Sequence, residues 1–156
     1  MPTSLDICGE SAQEAVGAAL AAVCPPACII YLKGNLGAGK TTLVRGFIRE
    51  LGHIGAVKSP TYTLLESYDL AGRHCYHLDL YRVADPGELE YLGIRDLLQS
   101  DAILLVEWPE KGEGELPQAD LIISIHYADG GRRLILEPDT PDGVQLVQDF
   151  GVTTNS

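Results

Sequence analysis

Apolar residues run unbroken through two short stretches, Cys28-Ile29-Ile30-Tyr31-Leu32 and Ala102-Ile103-Leu104-Leu105-Val106. A strand apolar on both faces needs cover on both, so each predicts a buried strand of a layered sheet. Elsewhere the pattern alternates. In His74-Cys75-Tyr76-His77-Leu78-Asp79-Leu80-Tyr81 a period of two sets Tyr76, Leu78 and Leu80 on one face and His77, Asp79 and Tyr81 on the other. With the run from Tyr62 to Tyr68, and residues 69–73 as a longer loop, it predicts an antiparallel hairpin. Further strands are expected at Leu121 to His126 and Arg132 to Glu137, divided by the turn signal Asp129-Gly130-Gly131.

Helical patterns fill the intervals. Ser11 to Val23 is Ala-rich, has Glu14 in capping-box register with Ser11, and stops before Pro25-Pro26. Thr41 opens a helix that continues through Phe47, Ile48 and Leu51 to Gly52. Asp85-Pro86-Gly87-Glu88 starts a short helical stretch, Ile94 to Leu98 adds a turn or two, Val144 to Phe150 forms a last helix, and residues 151–156 are expected to fray. There is no repeat and no linker, and 156 residues build one hydrophobic core, so residues 1–156 read as a single domain. Strands interleaved with helices make the class α/β, and the hairpin makes the sheet mixed.

Gly34 to Thr41 reads GNLGAGKT, a complete G-x-x-x-x-G-K-[ST] loop between the first apolar strand and a helix. Such a turn converges backbone N–H groups on an anion at the positive end of the helix dipole. Lys40 is placed to reach the β- and γ-phosphates of a nucleotide, and the Thr41 hydroxyl to ligate Mg²⁺. The architecture expected is therefore a three-layer sandwich of the P-loop nucleoside triphosphatase type. Ligands of such sheets sit at the carboxyl ends of the parallel strands, where Gly34 and Glu107 both fall.

An apolar strand ending in an acid, Ile103-Leu104-Leu105-Val106-Glu107, suits the second half of a nucleotide site, with Glu107 toward Mg²⁺. Asp79, beside an imidazole on the polar face of its strand, is a candidate to position or deprotonate an attacking water or to hold a metal-bound water; a solvated hairpin face explains it equally well. Ser59-Pro60-Thr61 fits a γ-phosphate-sensing switch or a plain turn. Arg82 fits a phosphate contact, a partner contact or a surface charge. His53 and His126 read as structural.

Charge narrows the partners. The chain carries 11 basic and 22 acidic residues, a net charge of −11, and such a surface repels nucleic-acid backbones. Any role at nucleic acid then requires another protein to hold it. Cys8, Cys24, Cys28 and Cys75 lack paired C-x-x-C spacing, which favours reduced, packed thiols over zinc or disulfides. No stretch approaches the roughly 18 uninterrupted apolar residues of a membrane helix, and Met1-Pro2-Thr3-Ser4-Leu5-Asp6 has no signal core, so a cytoplasmic location is expected.

GNLGAGKTTLVRG, VKSPTYTLLESY, HLDLYR followed by LGIRD, and LLVEWPEKG occur in this order. Together, over roughly Ser11 to Glu137, they resemble the TsaE (YjeE) family of bacterial P-loop ATPases. The resemblance implies an ATPase needed to make N6-threonylcarbamoyladenosine at position 37 of tRNAs reading codons that begin with A, working with a TsaD–TsaB complex in which TsaD carries the transfer chemistry. It implies Gly37, Gly39 and Lys40 as phosphate ligands, with Asn35, Leu36 and Ala38 as further nucleotide-binding positions and Thr42 continuing the nucleotide loop. It also implies Thr41 and Glu107 as magnesium ligands, Asp79 and Lys40 as residues needed for activity, and Trp108 following the magnesium acid. Family members flank the nucleotide with one residue near the first helix start and one near the late basic turn; Ser11 and Arg133 are the nearest matches. Asn35 stands where many members have an acid, which leaves the loop mechanics intact.

Other readings share the loop. A small-molecule kinase uses it with an acceptor pocket and an arginine-bearing lid, and no Arg-rich lid segment is present. Asp69-Leu70-Ala71-Gly72 fits the D-x-x-G of a GTPase, but a guanine-reading N-K-x-D is missing. A nucleotide-gated binding module is the remaining alternative.

Overall fold

The computed structural model describes residues 3–35, 37–57, 64–70, 72–91, 93–97 and 101–154. In chain order the elements are β1 (Thr3–Ile7), α1 (Glu10–Val23), β2 (Cys28–Gly34), α2 (Lys40–Glu50), β3 (Leu65–Leu70), β4 (Arg73–Asp79), α3 (Glu88–Tyr91), α4 (Ile94–Leu97), β5 (Ile103–Glu107), a 3₁₀ turn (Pro109–Gly112), β6 (Leu121–Ala128), β7 (Gly131–Pro138) and α5 (Pro141–Thr154). The strands form one seven-stranded sheet in the order β1-β7-β6-β2-β5-β4-β3. Its centre is parallel, with β2 between β5 and β6 and β4 beyond β5. Antiparallel pairings of β3 with β4, β7 with β6 and β1 with β7 complete the two sides, so the sheet is mixed as expected.

The alternation along each strand decides which layer its side chains join. Cys28, Ile30 and Leu32 of β2 and Ile103 and Leu105 of β5 are buried with Leu20 of α1, Phe47 and Ile48 of α2, and Leu146 and Phe150 of α5. Leu104 and Val106 of β5 and Leu78 of β4 face the other way, into a second core with Leu89 of α3 and with Leu80 and Val83 from the segment after β4. Helix α2 is anchored on one stripe, Leu43, Val44, Phe47 and Ile48, each no more than 2% exposed. Burying a side chain of this size stabilises by about 1.5–3 kcal/mol, so the start of α2 is held firmly against the sheet.

Helix α2 also lies very close to α1. A Cβ at Gly46 would sit 2.0 Å from the carbonyl oxygen of Glu14, a backbone atom with no room to yield. Gly46→Ala is therefore expected to lower unfolding free energy by about 1–3 kcal/mol despite alanine's higher helix propensity. Urea denaturation checks this, and a variant as stable as the parent would contradict the close approach.

Several boundaries differ from the sequence expectation. Strand β1 was not anticipated: it is short, and its partner β7 lies near the other end of the chain, with Leu5 opposite Leu134. Helix α1 begins at Glu10 after Gly9 and has no side-chain cap, so the Ser11–Glu14 capping box does not form. Glu14 instead meets Arg45 at 3.0 Å and Arg49 at 3.9 Å on α2, and this cross-helix pairing displaces the local cap. The hairpin is tighter than residues 69–73 suggested: pairing continues to Leu70 opposite Arg73, and Asp69 and His74 face each other with His74 Nδ1 2.9 Å from Asp69 Oδ1. Helix α5 is longer than Val144 to Phe150, running from Pro141 to Thr154. Cys24, Cys28 and Cys75 are buried free thiols, whereas Cys8 is exposed, its Sγ donating to the Gly130 carbonyl at 3.0 Å. Among the described residues no helix is long and apolar enough to cross a membrane.

Candidate functional site

Three strand ends supply the site. In the parallel register Leu32 of β2 and Asp79 of β4 both stand opposite Glu107 of β5, so the carboxyl ends of β2, β5 and β4 lie side by side. Face parity then orients the chemistry. Glu107 shares a face with Ile103 and Leu105, and His77 and Asp79 share one with Cys75; both faces look toward α2, whose first turn begins with Lys40 and Thr41. A cavity of about 520 Å³ opens there, lined by Gly37, Gly39, Lys40, Thr41, Thr42, Asp79, Glu107 and Trp108 together with Glu10, Tyr81 and Arg82.

The loop is shaped to receive an anion. Gly39 precedes α2 in the left-handed region at φ 102°, and a Cβ on it would fall 2.1 Å from the Gln13 amide nitrogen. Gln13 Nε2 donates to the carbonyls of Ala38 and Gly39, each at 2.9 Å, pinning the loop from α1. No side chain caps α2, so its first-turn N–H groups keep their donor capacity and its dipole faces the cavity.

The Lys40 ammonium donates to the Gly34 carbonyl and, at 3.1 Å, to that of Asn35, and lies 4.2 Å from the Trp108 ring centroid. Burial lowers its pKa, opposed by the negative charges of Glu107, Asp79 and Glu110. Trp108 holds this position from a left-handed backbone at φ 58°, a conformation that costs an indole-bearing residue about 1–3 kcal/mol, and its ring leans on Tyr81 at 5.1 Å. Backbone strain is thus maintained where the ring covers the loop lysine.

Oxygen donors gather beside the lysine. Thr41 Oγ1 is 3.3 and 3.4 Å from the two carboxylate oxygens of Glu107, whose Oε2 is also 2.6 Å from His77 Nε2. A hydroxyl and a carboxylate, both hard and both at the cavity edge, suit Mg²⁺, which takes few protein ligands and completes its shell with water and phosphate oxygens. Asp79 is half-buried, and burial followed by the Glu107 charge holds its carboxyl above the usual range. That makes it a stronger base than a free aspartate.

Gly37, Gly39, Lys40, Thr41, Thr42, Asp79 and Glu107 meet here, whereas Ser11 and Arg133 lie apart. Ser11 is exposed on α1 and lines neither this cavity nor the adjacent one; Glu10, one residue earlier, borders both. Arg133 pairs with Asp6 of β1 at 2.8 Å on an exposed face. Alternation along β7 turns Arg132 the other way, where its Nε donates to the Ala38 carbonyl at 3.3 Å and its guanidinium lies 4.3 Å from the Tyr127 ring centroid. Arg132, with Gly9, Gln13, Thr42 and Gly130, lines an adjacent cavity of about 400 Å³ on the far side of the loop. Within the loop, Asn35 is exposed and Ala38 buried, and Leu36 lies outside the described residues, as does Ser59-Pro60-Thr61.

Gln13 and His77 carry weight that sequence reasoning did not assign them. Both are buried. For Gln13 the available signal was a polar residue on the apolar face of α1, whereas His77 stood on the polar face of its strand and only the packing of that face against α2 buries it. Asp69 and Gly72 of the D-x-x-G motif sit at the hairpin turn, at the opposite end of β4 from Asp79, which removes them from the phosphate loop.

Comparison with known proteins gives the family and the fold. A family model described as Threonylcarbamoyl adenosine biosynthesis protein TsaE matches residues 8–135. The Haemophilus influenzae tRNA threonylcarbamoyladenosine biosynthesis protein TsaE is 53% identical over 124 residues, 80% of this chain and 78% of that protein. The Bacillus subtilis protein of the same name is 38% identical over 122 residues, 78% of this chain and 76% of that protein. The crystal structure of Bacillus subtilis YdiB superposes with a TM-score of 0.84 at 27% identity, covering 99% of this chain and 97% of that one. The phosphate loop, the strand-end acids and the mixed α/β sheet thus occur in a chain that belongs to the TsaE family, whose members are named for tRNA threonylcarbamoyladenosine biosynthesis.

Proposed function

We propose that this chain is a Mg²⁺-dependent ATP hydrolase that supports formation of N6-threonylcarbamoyladenosine at position 37 of tRNAs reading A-starting codons, acting in the cytoplasm with a TsaD–TsaB complex. The observation that carries the reading is the convergence of Lys40, Thr41, Glu107 and Asp79 on one cavity at the mouth of the loop. Backbone N–H groups at the start of α2 bind the phosphates, and Lys40, released from the Gly34 and Asn35 carbonyls, neutralises the β- and γ-phosphate oxygens. Thr41 and Glu107 would hold Mg²⁺, which when bound offsets the charge that develops on the phosphates. Asp79 orients the attacking water and accepts its proton. Arg132 and Glu10, in place of Arg133 and Ser11, flank the nucleotide.

The charge of −11 supports recruitment through protein surface rather than through tRNA directly, with Trp108 and the β3–β4 hairpin as the contacting elements. Turnover is accordingly expected to be slow for the isolated chain and faster with TsaD–TsaB. A gel-shift titration with tRNA beside an ATPase assay with and without the partners tests this. Tight, salt-sensitive tRNA binding by the chain alone, no response to the partners, or phosphate transfer to a small acceptor would overturn the reading.

A further inference from the structure

His77 is fully buried, and its only hydrogen-bond contact among the described residues is the 2.6 Å approach of Nε2 to Glu107 Oε2; Nδ1 has no partner among them. A polar ring of this kind loses its hydration on folding and keeps one compensating bond. That bond is aimed at a single oxygen. Register explains how it forms: His77 stands opposite Leu105, so Glu107 is its diagonal neighbour on the adjacent parallel strand, within reach of a ring leaning along the strand. An Nε2–H donor toward the carboxylate leaves only a lone pair at Nδ1, a lesser cost than a stranded N–H.

Contact lengths show what orients Glu107. Thr41 Oγ1 lies at 3.3 and 3.4 Å, near the limit of a hydrogen bond, whereas the His77 contact is short. A free glutamate side chain samples many rotamers, and a single strong partner at Oε2 fixes the plane of the carboxylate. Held this way, Glu107 keeps its carboxylate facing Thr41 at the cavity, with Oε1 at 3.4 Å and Oε2 at 3.3 Å from the hydroxyl.

We propose that His77 is a positioning residue for the magnesium site: it touches neither metal nor nucleotide, and fixes the Glu107 carboxylate so that the Thr41–Glu107 oxygen pair is formed before Mg²⁺ arrives. This rests on Glu107 being a metal ligand. Partners that orient ligating groups commonly contribute 10–100-fold to metal affinity, which sets the expected effect.

The test compares His77→Leu, which keeps bulk without a donor, with His77→Gln, whose amide N–H can replace Nε2–H. Calorimetry with ADP in Mg²⁺ and in EDTA, and Mn²⁺ binding followed by electron paramagnetic resonance in the presence of ADP, give readouts independent of turnover. His77→Leu is expected to bind ADP in EDTA as the parent does, and to lose about tenfold or more of the Mg²⁺-dependent gain and of Mn²⁺ affinity; His77→Gln recovers most of both. An unchanged Mg²⁺ gain in His77→Leu, a parallel loss in EDTA, or a His77→Gln no better than His77→Leu would overturn the proposal. Glu107→Gln separates the two levels. If Glu107→Gln also keeps the full Mg²⁺ gain, the metal assignment itself fails; if it loses the gain while His77→Leu keeps it, only the positioning role fails. A measurement on the unmodified protein stands apart from any folding defect: the His77 Nε2–H resonance in ¹⁵N-edited spectra is expected to shift with ADP and Mg²⁺ but not with ADP in EDTA. The same response in both conditions would sink the idea.

Discussion

Lys40→Ala is expected to reduce kcat/KM for ATP by about 100-fold or more. The ammonium is the one loop side chain whose charge can follow the β- and γ-phosphates, and hydrogen bonds to charged groups contribute about 1.5–3 kcal/mol each. Losing two of them corresponds to roughly 10²–10⁴ in transition-state stabilisation. The burial that lowers the Lys40 pKa also lowers the local dielectric, so each contact is stronger there than at a surface. Global stability is expected to change little, because the lysine's partners are the carbonyls of Gly34 and Asn35 and the face of Trp108, all at the loop rim. Lys40→Met retains most of the stem and controls for packing. Calorimetric titration with ATP and a steady-state assay check both variants; parental affinity and turnover in Lys40→Ala would remove the loop from the mechanism.

The second large effect separates two acids that stand opposite each other in the sheet. Asp79→Asn preserves shape and the acceptor that meets the Tyr81 N–H at 3.1 Å, but removes the base, and a positioned base contributes about 10²–10⁴-fold. Turnover in the presence of TsaD–TsaB is expected to fall by that order with ATP affinity nearly unchanged. Glu107→Gln retains an acceptor for His77 while removing the charge beside Thr41, so its loss is expected in Mg²⁺-dependent binding as well as in turnover. Single-turnover kinetics with parallel binding isotherms distinguish the two patterns. Normal hydrolysis by Asp79→Asn in the assembled complex would return Asp79 to the role of a half-buried strand end.

Much of this site was legible in spacing alone. GNLGAGKT after a strand marks a phosphate loop because the motif is local, and the two-residue period of residues 74–81 places His77 and Asp79 on a common face whatever that face meets. An acid ending the second apolar strand marked Glu107 for the same reason. Residues that depend on exact register at an element's edge were less legible. Arg132 and Arg133 are neighbours with equal chemistry, and only the pairing of β7 with β1 and β6 determines which one turns toward the loop. Glu14 had a local cap available and took Arg45 instead, because α2 packs within backbone contact of α1.

What the sequence by itself determined, then, was every strand but β1, the main helices, their facing residues and the glycine-rich loop motif, all consequences of steric and hydrogen-bonding rules acting over a few residues. The tertiary structure alone decided that β5 lies between β2 and β4, which turns three separate strand ends into one cavity, brings Asp79 opposite Glu107 and puts His77 against the same carboxylate. It also paired β1 with a strand at the far end of the chain. Strand order is settled by which faces can be covered and which crossovers can close, and those are properties of the whole core that no local periodicity encodes.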